Sequence, residues 1–289
     1  MDKHQTVIAI IYDFDKTLCT KDMQEYSFIP RLKMHPSEFW AEARELAEKN
    51  KMDSVLAYLY LMLKNAAKAG QRVWREDFVE LGRHLEFFSG VKEWFALIEE
   101  AAKSYGATIE HYIISSGLRE IIEGSEIFAN FKEVFACEFL YEENGGASWA
   151  KNAVNYTTKT QFLFRINKGI LDISEDDKLN NYTPEEERRI PFRNMIYIGD
   201  GLTDVPCMKL VKSNGGCSLA VYPQGEKGRV KDLLLHERVD FIAAADYTKG
   251  GELYEIIKDV VRKMSVHDQL FAKSSRQLKM LGVKDGKQE

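Results

Sequence analysis

Residues 7–18 read VIAIIYDFDKTL, six apolar residues from Val7 to Tyr12 followed at once by Asp13 and, two residues later, Asp15. A run that is apolar on both faces and stops at charge is the pattern of a strand buried in the middle of a parallel sheet. Similar runs recur at His111 to Ser115 (HYIIS), Met195 to Gly199 (MIYIG), Ser218 to Tyr222 (SLAVY) and Val239 to Ala243 (VDFIA). Most are separated by stretches long enough for helical crossovers, so the expected fold class is α/β with an open, Rossmann-like parallel sheet. In such a sheet ligands bind outside the carboxyl ends of the strands.

Roughly 90 residues separate the first two runs, where one crossover needs about a dozen or more. Three helical segments are predicted there, Ser37 to Lys49, Asp53 to Ala69 and Arg75 to Phe87, the last carrying Phe78, Leu81 and Leu85 at helical spacing. They read as a helical cap domain over residues 19–87, inserted into a core made of residues 1–18 and 88–289. The middle helix is apolar nearly all round and is expected inside the cap, at its contact with the core, or in a dimer interface, in that order. Downstream, a short helix is expected over Leu118 to Glu123 and a β-hairpin flap around Asn144-Gly145-Gly146. A helix over Lys159 to Asn167, a polar loop over Leu171 to Arg193 with a helix start at Thr183-Pro184-Glu185, and a closing helix over Gly251 to Met264 complete the expectation. Residues 282–289 are expected to fray.

Composition narrows the class of partner. The 289 residues carry 40 Lys and Arg against 45 Asp and Glu, a net charge of -5, which leaves no overall positive field for a nucleic acid or an anionic membrane. A small anion in a local pocket remains compatible. Cys19, Cys137, Cys207 and Cys217 are scattered without metal-site spacing and are expected as buried free thiols. The sequence shows no signal peptide and no apolar run long enough to cross a bilayer, so a cytoplasmic location is expected.

Chemistry concentrates at the strand ends. Two acids emerging from a buried strand repel each other unless a cation or a shared proton relieves them. A second pair stands in MIYIGDGLTDVPCM, with Asp200 directly after a strand, flanked by Gly199 and Gly201 that are expected to let the backbone approach a ligand, and Asp204 four residues on. In a parallel sheet Asp13 and Asp200 emerge at the same edge. Several carboxylates without sulfur or imidazole suit a hard cation that keeps some waters, Mg²⁺ in a cell. At the third strand end, HYIISSGLRE places Ser115 before the N–H groups of Ser116 and Gly117, read as the N-terminus of a helix and an anion site.

In this order, DFDKTL, then a strand ending in Ser115, then Lys159, then GDGLTD, the chain resembles the haloacid dehalogenase-like hydrolase superfamily in its phosphoserine-phosphatase-like branch. The resemblance implies a phosphatase for a small phosphorylated metabolite. Asp13 would be the nucleophile that forms an aspartyl-phosphate and Asp15 the acid and base. It implies Mg²⁺ held by Asp13, the Asp15 main-chain carbonyl and Asp200, with Asp204 beside the metal or Lys159. Ser115, the Ser116 N–H and Lys159 would bind the phosphoryl group. A phosphotransferase or mutase using the same intermediate, and a non-catalytic protein that binds a phosphorylated metabolite, stay open, as does a homodimer. In phosphoserine phosphatases a Glu stands where Asp22 stands here, and no matching cap Arg occurs in residues 51–68, so the substrate is not named. Asp22, Glu25, Tyr26 and Arg31 are the polar candidates for lining the pocket.

Overall fold

A computed structural model of the protein describes residues 6–71 and 73–281. Strand β1 (Thr6–Tyr12) is buried on both faces, and the chain then passes through short helices α1 (Met23–Tyr26) and α2 (Phe28–Arg31) into α3 (Pro36–Asn50), α4 (Ser54–Lys68) and α5 (Arg75–Leu81). Helix α6 (Val91–Ser104) leads to β2 (Ala107–Leu118), and α7 (Arg119–Glu123) to the pair β3 (Phe131–Tyr141) and β4 (Ala147–Asn152). Then come α8 (Lys159–Lys168), α9 (Asp176–Asn180), β5 (Met195–Gly199), α10 (Val205–Ser213), β6 (Cys217–Tyr222), α11 (Lys231–Leu235), β7 (Phe241–Ala244) and α12 (Glu252–Met280).

The seven strands form one sheet in the order β4-β3-β2-β1-β5-β6-β7. Every pair is parallel except β3 and β4, which make the expected hairpin. The order of the strands reverses at β1, which has β2 on one side and β5 on the other, so loops leaving these strands diverge and open a crevice at their carboxyl ends. The three predicted inserted helices are present with ends shifted by a few residues. Asp53 caps α4 by accepting the N–H groups of Val55 and Leu56, and Lys51 closes α3 in the left-handed region at φ 51°. Helix α5 stops at Leu81, short of the expected Phe87, because Gly82 enters a 3-10 turn and Leu85 is already extended. Helix α4 packs within the insertion and against β4, burying Val55, Ala57, Tyr58, Leu59, Leu61 and Met62.

Two further elements depart from expectation. Helix α6 is additional to the predicted helices, although Trp94, Phe95 and Ile98 line its buried face at helical spacing. Helix α12 runs to Met280 rather than Met264, because no Gly or Pro interrupts residues 252–280 even where Val266 and Leu270 face solvent. The loop expected over 171–193 contains α9 and a 3-10 turn at Glu185–Glu187 just after Thr183-Pro184. Residues 282–289, expected to fray, lie outside the described residues. All four cysteines are free and buried. Among the described residues no helix is long and apolar enough to cross a membrane.

Beneath β1 sits a buried polar chain. The Trp94 indole donates to the Tyr12 hydroxyl at 2.8 Å, and that hydroxyl lies 3.0 Å from Nδ1 of His111. Phe95 and Phe131 enclose the group with edge-on rings. Burial pushes the His111 imidazole down to about 3, so it is neutral, with Nδ1 hydrogen-bonded to Tyr12 and Nε2 buried without a partner.

Candidate active site

Strand β1 continues to pair one residue past its end, since the Asp13 N–H donates to the Ile198 carbonyl at 2.9 Å. That bond places Asp13 beside the end of β5, and the chain then turns on the Phe14 carbonyl, which accepts from Leu18 and Cys19. Lys16 sits at the turn in the left-handed region, φ 57°. The result is a pocket of about 300 Å³ lined by Asp13, Asp15, Ser115, Ser116, Lys159 and Asp200 from four separate strand or helix ends. Its rim carries Lys16, Asp22, Leu202, Thr203 and Arg229.

Lys159, the first residue of α8, is fully buried, with its Nζ 2.8 Å from Asp13 Oδ1 and 2.8 Å from Asp204 Oδ1. Burial works against its charge, but the two carboxylates outweigh that effect and raise its pKa, so it is an ammonium at any working pH. Asp204 lies at the start of α10 behind the pocket wall, and its Oδ1 also accepts from the Tyr197 hydroxyl at 2.8 Å. Its Oδ2 is buried without a hydrogen-bond partner. Gly199 is required here for a reason other than approach to a ligand. A Cβ on it would stand 2.4 Å from Asp204 Oδ2, while one on Gly201 would meet nothing within 4 Å.

The acids crowd one another. Burial, with Asp204 and Asp200 nearby, pushes Asp13 up to about 7 against the pull of Lys159. Burial and Asp204 push Asp200 up to about 6. Asp15 is raised well above the usual carboxylate range by burial, then by Asp22 and Asp13, although its Oδ1 accepts the Met23 N–H at 2.8 Å. One oxygen each from Asp13, Asp200 and Asp204 lies within 4.8 Å of the others. Three close carboxylates, all-oxygen donors and one buried oxygen left unpaired fit a hard divalent cation.

Ser115 and Ser116 line the pocket as expected, but not at a helix N-terminus. Strand β2 continues through Leu118, paired with Cys137 of β3, and α7 begins only at Arg119. The Gly117 N–H, expected to face a ligand, is used internally, donating to Ser115 Oγ at 2.9 Å. Of the four polar candidates in the insertion, Asp22 lines the pocket, tied to Lys16 at 2.5 Å. The other three do not. Glu25 accepts from the Trp40 indole, the Tyr26 hydroxyl bonds Thr20, Lys21 and Glu86, and Arg31 is exposed. Lys16 and Arg229 are pocket residues that the sequence reading does not single out. Adjacency to Asp15 is the available signal for Lys16, whereas Arg229, 3.9 Å from Asp200, lies in a loop after β6 that no pattern marks.

Residues 10–209 match the family described as haloacid dehalogenase-like hydrolase. An uncharacterized protein of Borreliella burgdorferi is 32% identical over 296 aligned residues, covering 90% of this chain and 99% of that one. Among solved structures, a substrate-bound phosphoserine phosphatase complex superposes with a TM-score of 0.53 at 14% identity, over 89% of this chain and 99% of the other. A HAD family hydrolase from Salmonella enterica serovar Typhi superposes with a TM-score of 0.52 at 16% identity, over 83% of this chain and 68% of the other. At such identities the structural likeness speaks for the fold.

Proposed function

The chain belongs to the haloacid dehalogenase-like hydrolase family, and on that premise we propose that it is a Mg²⁺-dependent phosphatase of a small phosphomonoester, working through an aspartyl-phosphate on Asp13. The observation that carries this reading is the meeting of Asp13, Asp15, Ser115, Lys159 and Asp200 in one small pocket, drawn from elements far apart in sequence. Phosphoryl transfer needs an in-line oxygen nucleophile, neutralised charge around three equatorial oxygens and a proton for the leaving group. Asp13 attacks phosphorus and the P–O bond to the leaving alcohol breaks. Asp15, whose carboxyl burial pushes toward the protonated form, gives its proton to that alkoxide. Asp15, now a carboxylate, takes a proton from water, whose oxygen attacks the phosphorus and releases phosphate and the Asp13 carboxylate. Lys159 holds the Asp13 carboxylate in place and carries positive charge beside it throughout.

Asp13, Asp200 and Asp204, with the Asp15 carbonyl, would hold Mg²⁺. When bound, the ion supplies charge neutralisation for the phosphoryl oxygens. Residues 19–87 act in this reading as a cap over a core of residues 1–18 and 88–289, excluding bulk water and shaping the pocket. Asp22 and Lys16 stand where the leaving group would lie, and their mixed charge favours a small polar alcohol over an apolar one.

The test is phosphate release from a broad panel of phosphomonoesters, with Mg²⁺ or chelator, for wild type and Asp13→Asn. Mg²⁺-dependent release reduced at least about a hundredfold in the variant is expected. A folded variant that keeps more than that removes Asp13 as nucleophile, and absence of release from every ester by folded wild type refutes the hydrolase reading.

A further inference from the structure

The phosphate-side wall of the pocket is anchored from the insertion. Tyr58, on α4 and 6% exposed, donates its hydroxyl proton to the Ser116 carbonyl across 2.5 Å. That carbonyl belongs to the peptide whose N–H is carried by Gly117, and in a trans peptide the two groups point in opposite directions. The Gly117 N–H in turn donates to Ser115 Oγ at 2.9 Å. A continuous relay therefore runs from the Tyr58 hydroxyl through one peptide plane to the Ser115 hydroxyl. A hydroxyl that accepts at one lone pair still has its own proton to give, which leaves Ser115 able to donate into the pocket it lines.

The peptide is held from other sides as well. The Cys137 thiol is a second, weaker donor to the Ser116 carbonyl, at 3.3 Å. A Cβ on Gly117 would fall 2.1 Å from Met23 Cε and 3.1 Å from Asp15 Oδ2, so the insertion's first turn packs directly on this peptide. Burial raises the Tyr58 phenol well above its ordinary range, which keeps it a donor.

We infer that Tyr58 is a positioning residue, which sets the phosphoryl-binding hydroxyl of Ser115 through the Ser116–Gly117 peptide and so makes phosphate binding depend on the seating of the insertion. This rests on the phosphatase reading. Because hydrogen bonds in series polarise one another, loss of the first donor weakens the last.

The experiment is a double-mutant cycle of Tyr58→Phe and Ser115→Ala, read as the inhibition constant of inorganic phosphate in Mg²⁺, with thermal midpoints recorded in parallel. Tyr58→Phe is expected to weaken phosphate about five- to tenfold, the worth of one ordinary net hydrogen bond. In the Ser115→Ala background the same change is expected to weaken it less than twofold. Equal effects in both backgrounds, or none in either, overturn the assignment in favour of a packing role. If Tyr58→Phe does not fold, Cys137→Ala removes the other donor to the same carbonyl and is expected to shift phosphate in the same direction by a smaller factor; no shift overturns the relay. Wild type that binds no phosphate refutes the phosphatase reading itself, a result distinct from wild type and Tyr58→Phe binding phosphate equally well.

Discussion

Replacing His111 by Asn should change the acid side of the stability profile in a way that can be calculated. The native imidazole stays neutral down to about pH 3, whereas in the unfolded chain it titrates near 6.5. Below pH 6.5 the unfolded chain therefore takes up a proton that the folded protein refuses. Stability from this group falls as pH falls, by about 1.4 kcal/mol per pH unit between roughly 6 and 3, and levels off below. At pH 5 the loss is about 2 kcal/mol relative to pH 8, and it is the same for any folded value below about 4. Asn offers an amide where Nδ1 meets the Tyr12 hydroxyl and does not titrate. The assay is urea unfolding of both proteins in chelator at pH 8, 7, 6 and 5. Asp13, Asp15 and Asp200 have raised native values and push the profile the other way, gaining stability as pH falls, but they do so in both proteins. Only the difference is diagnostic. The variant is expected to lose about 2 kcal/mol less than wild type between pH 8 and 5. A difference constant within about 0.5 kcal/mol over that range refutes the claim that His111 is buried neutral.

Lys159→Met keeps the stem and deletes the ammonium that Asp13 and Asp204 share, so the metal-free variant should be about 3–5 kcal/mol less stable at pH 8 than wild type. Urea unfolding in chelator measures this, and an unchanged midpoint would show that the carboxylates do not depend on the lysine. Gly199→Ala puts a methyl group 2.4 Å from Oδ2, 2.5 Å from Cγ and 2.9 Å from Cβ of Asp204, so that whole side chain must shift. The Mg²⁺ concentration for half-maximal phosphate release should rise about tenfold or more, while the fold survives. An unaltered requirement would take Asp204 out of the metal site.

Buried strands make the centre of the site legible in the sequence. Asp13, Ser115 and Asp200 each stand at the end of an apolar run, and a parallel sheet brings such ends to one edge whatever the loops between them do. The helix after the hairpin is likewise legible, which puts Lys159 at its first turn. Apolar periodicity reports only that a side chain is buried, not what it meets. So α4 is recognisable as a buried helix, but nothing in its pattern says that Tyr58 reaches the Ser116 carbonyl rather than another helix of the insertion. Helix α6 is harder to separate from its surroundings, because it starts directly at Gly90, where the insertion rejoins the core, and the Ser89-Gly90 turn reads as a boundary rather than as a helix start. The chain after Ser115 departs from expectation for a related reason. A serine pair and a glycine before a short helix resemble a cap, whereas the pairing of Leu118 with Cys137 that keeps the chain extended is a contact with β3, invisible locally.

The same distinction bears on where specificity is encoded. In the proposed reading the groups that would touch the phosphoryl position come from the sheet strands and from α8, elements whose placement the sheet dictates. The other charged lining residues, which would face the leaving group, come from chain that the sheet does not dictate: Lys16 in a left-handed turn, Asp22 entering α1, and Arg229 in the loop after β6. Lys16 and Asp22 are tied to each other, and Arg229 to Glu226, so in the free protein both rim cations already have acidic partners. A substrate must then offer groups that replace or bridge these pairs, since stripping one partner from a half-buried ion pair without replacement is unfavourable. Chemistry fixed by the sheet and selection carried by loops can change independently, which is why membership of the family identifies the reaction far better than it identifies the ester.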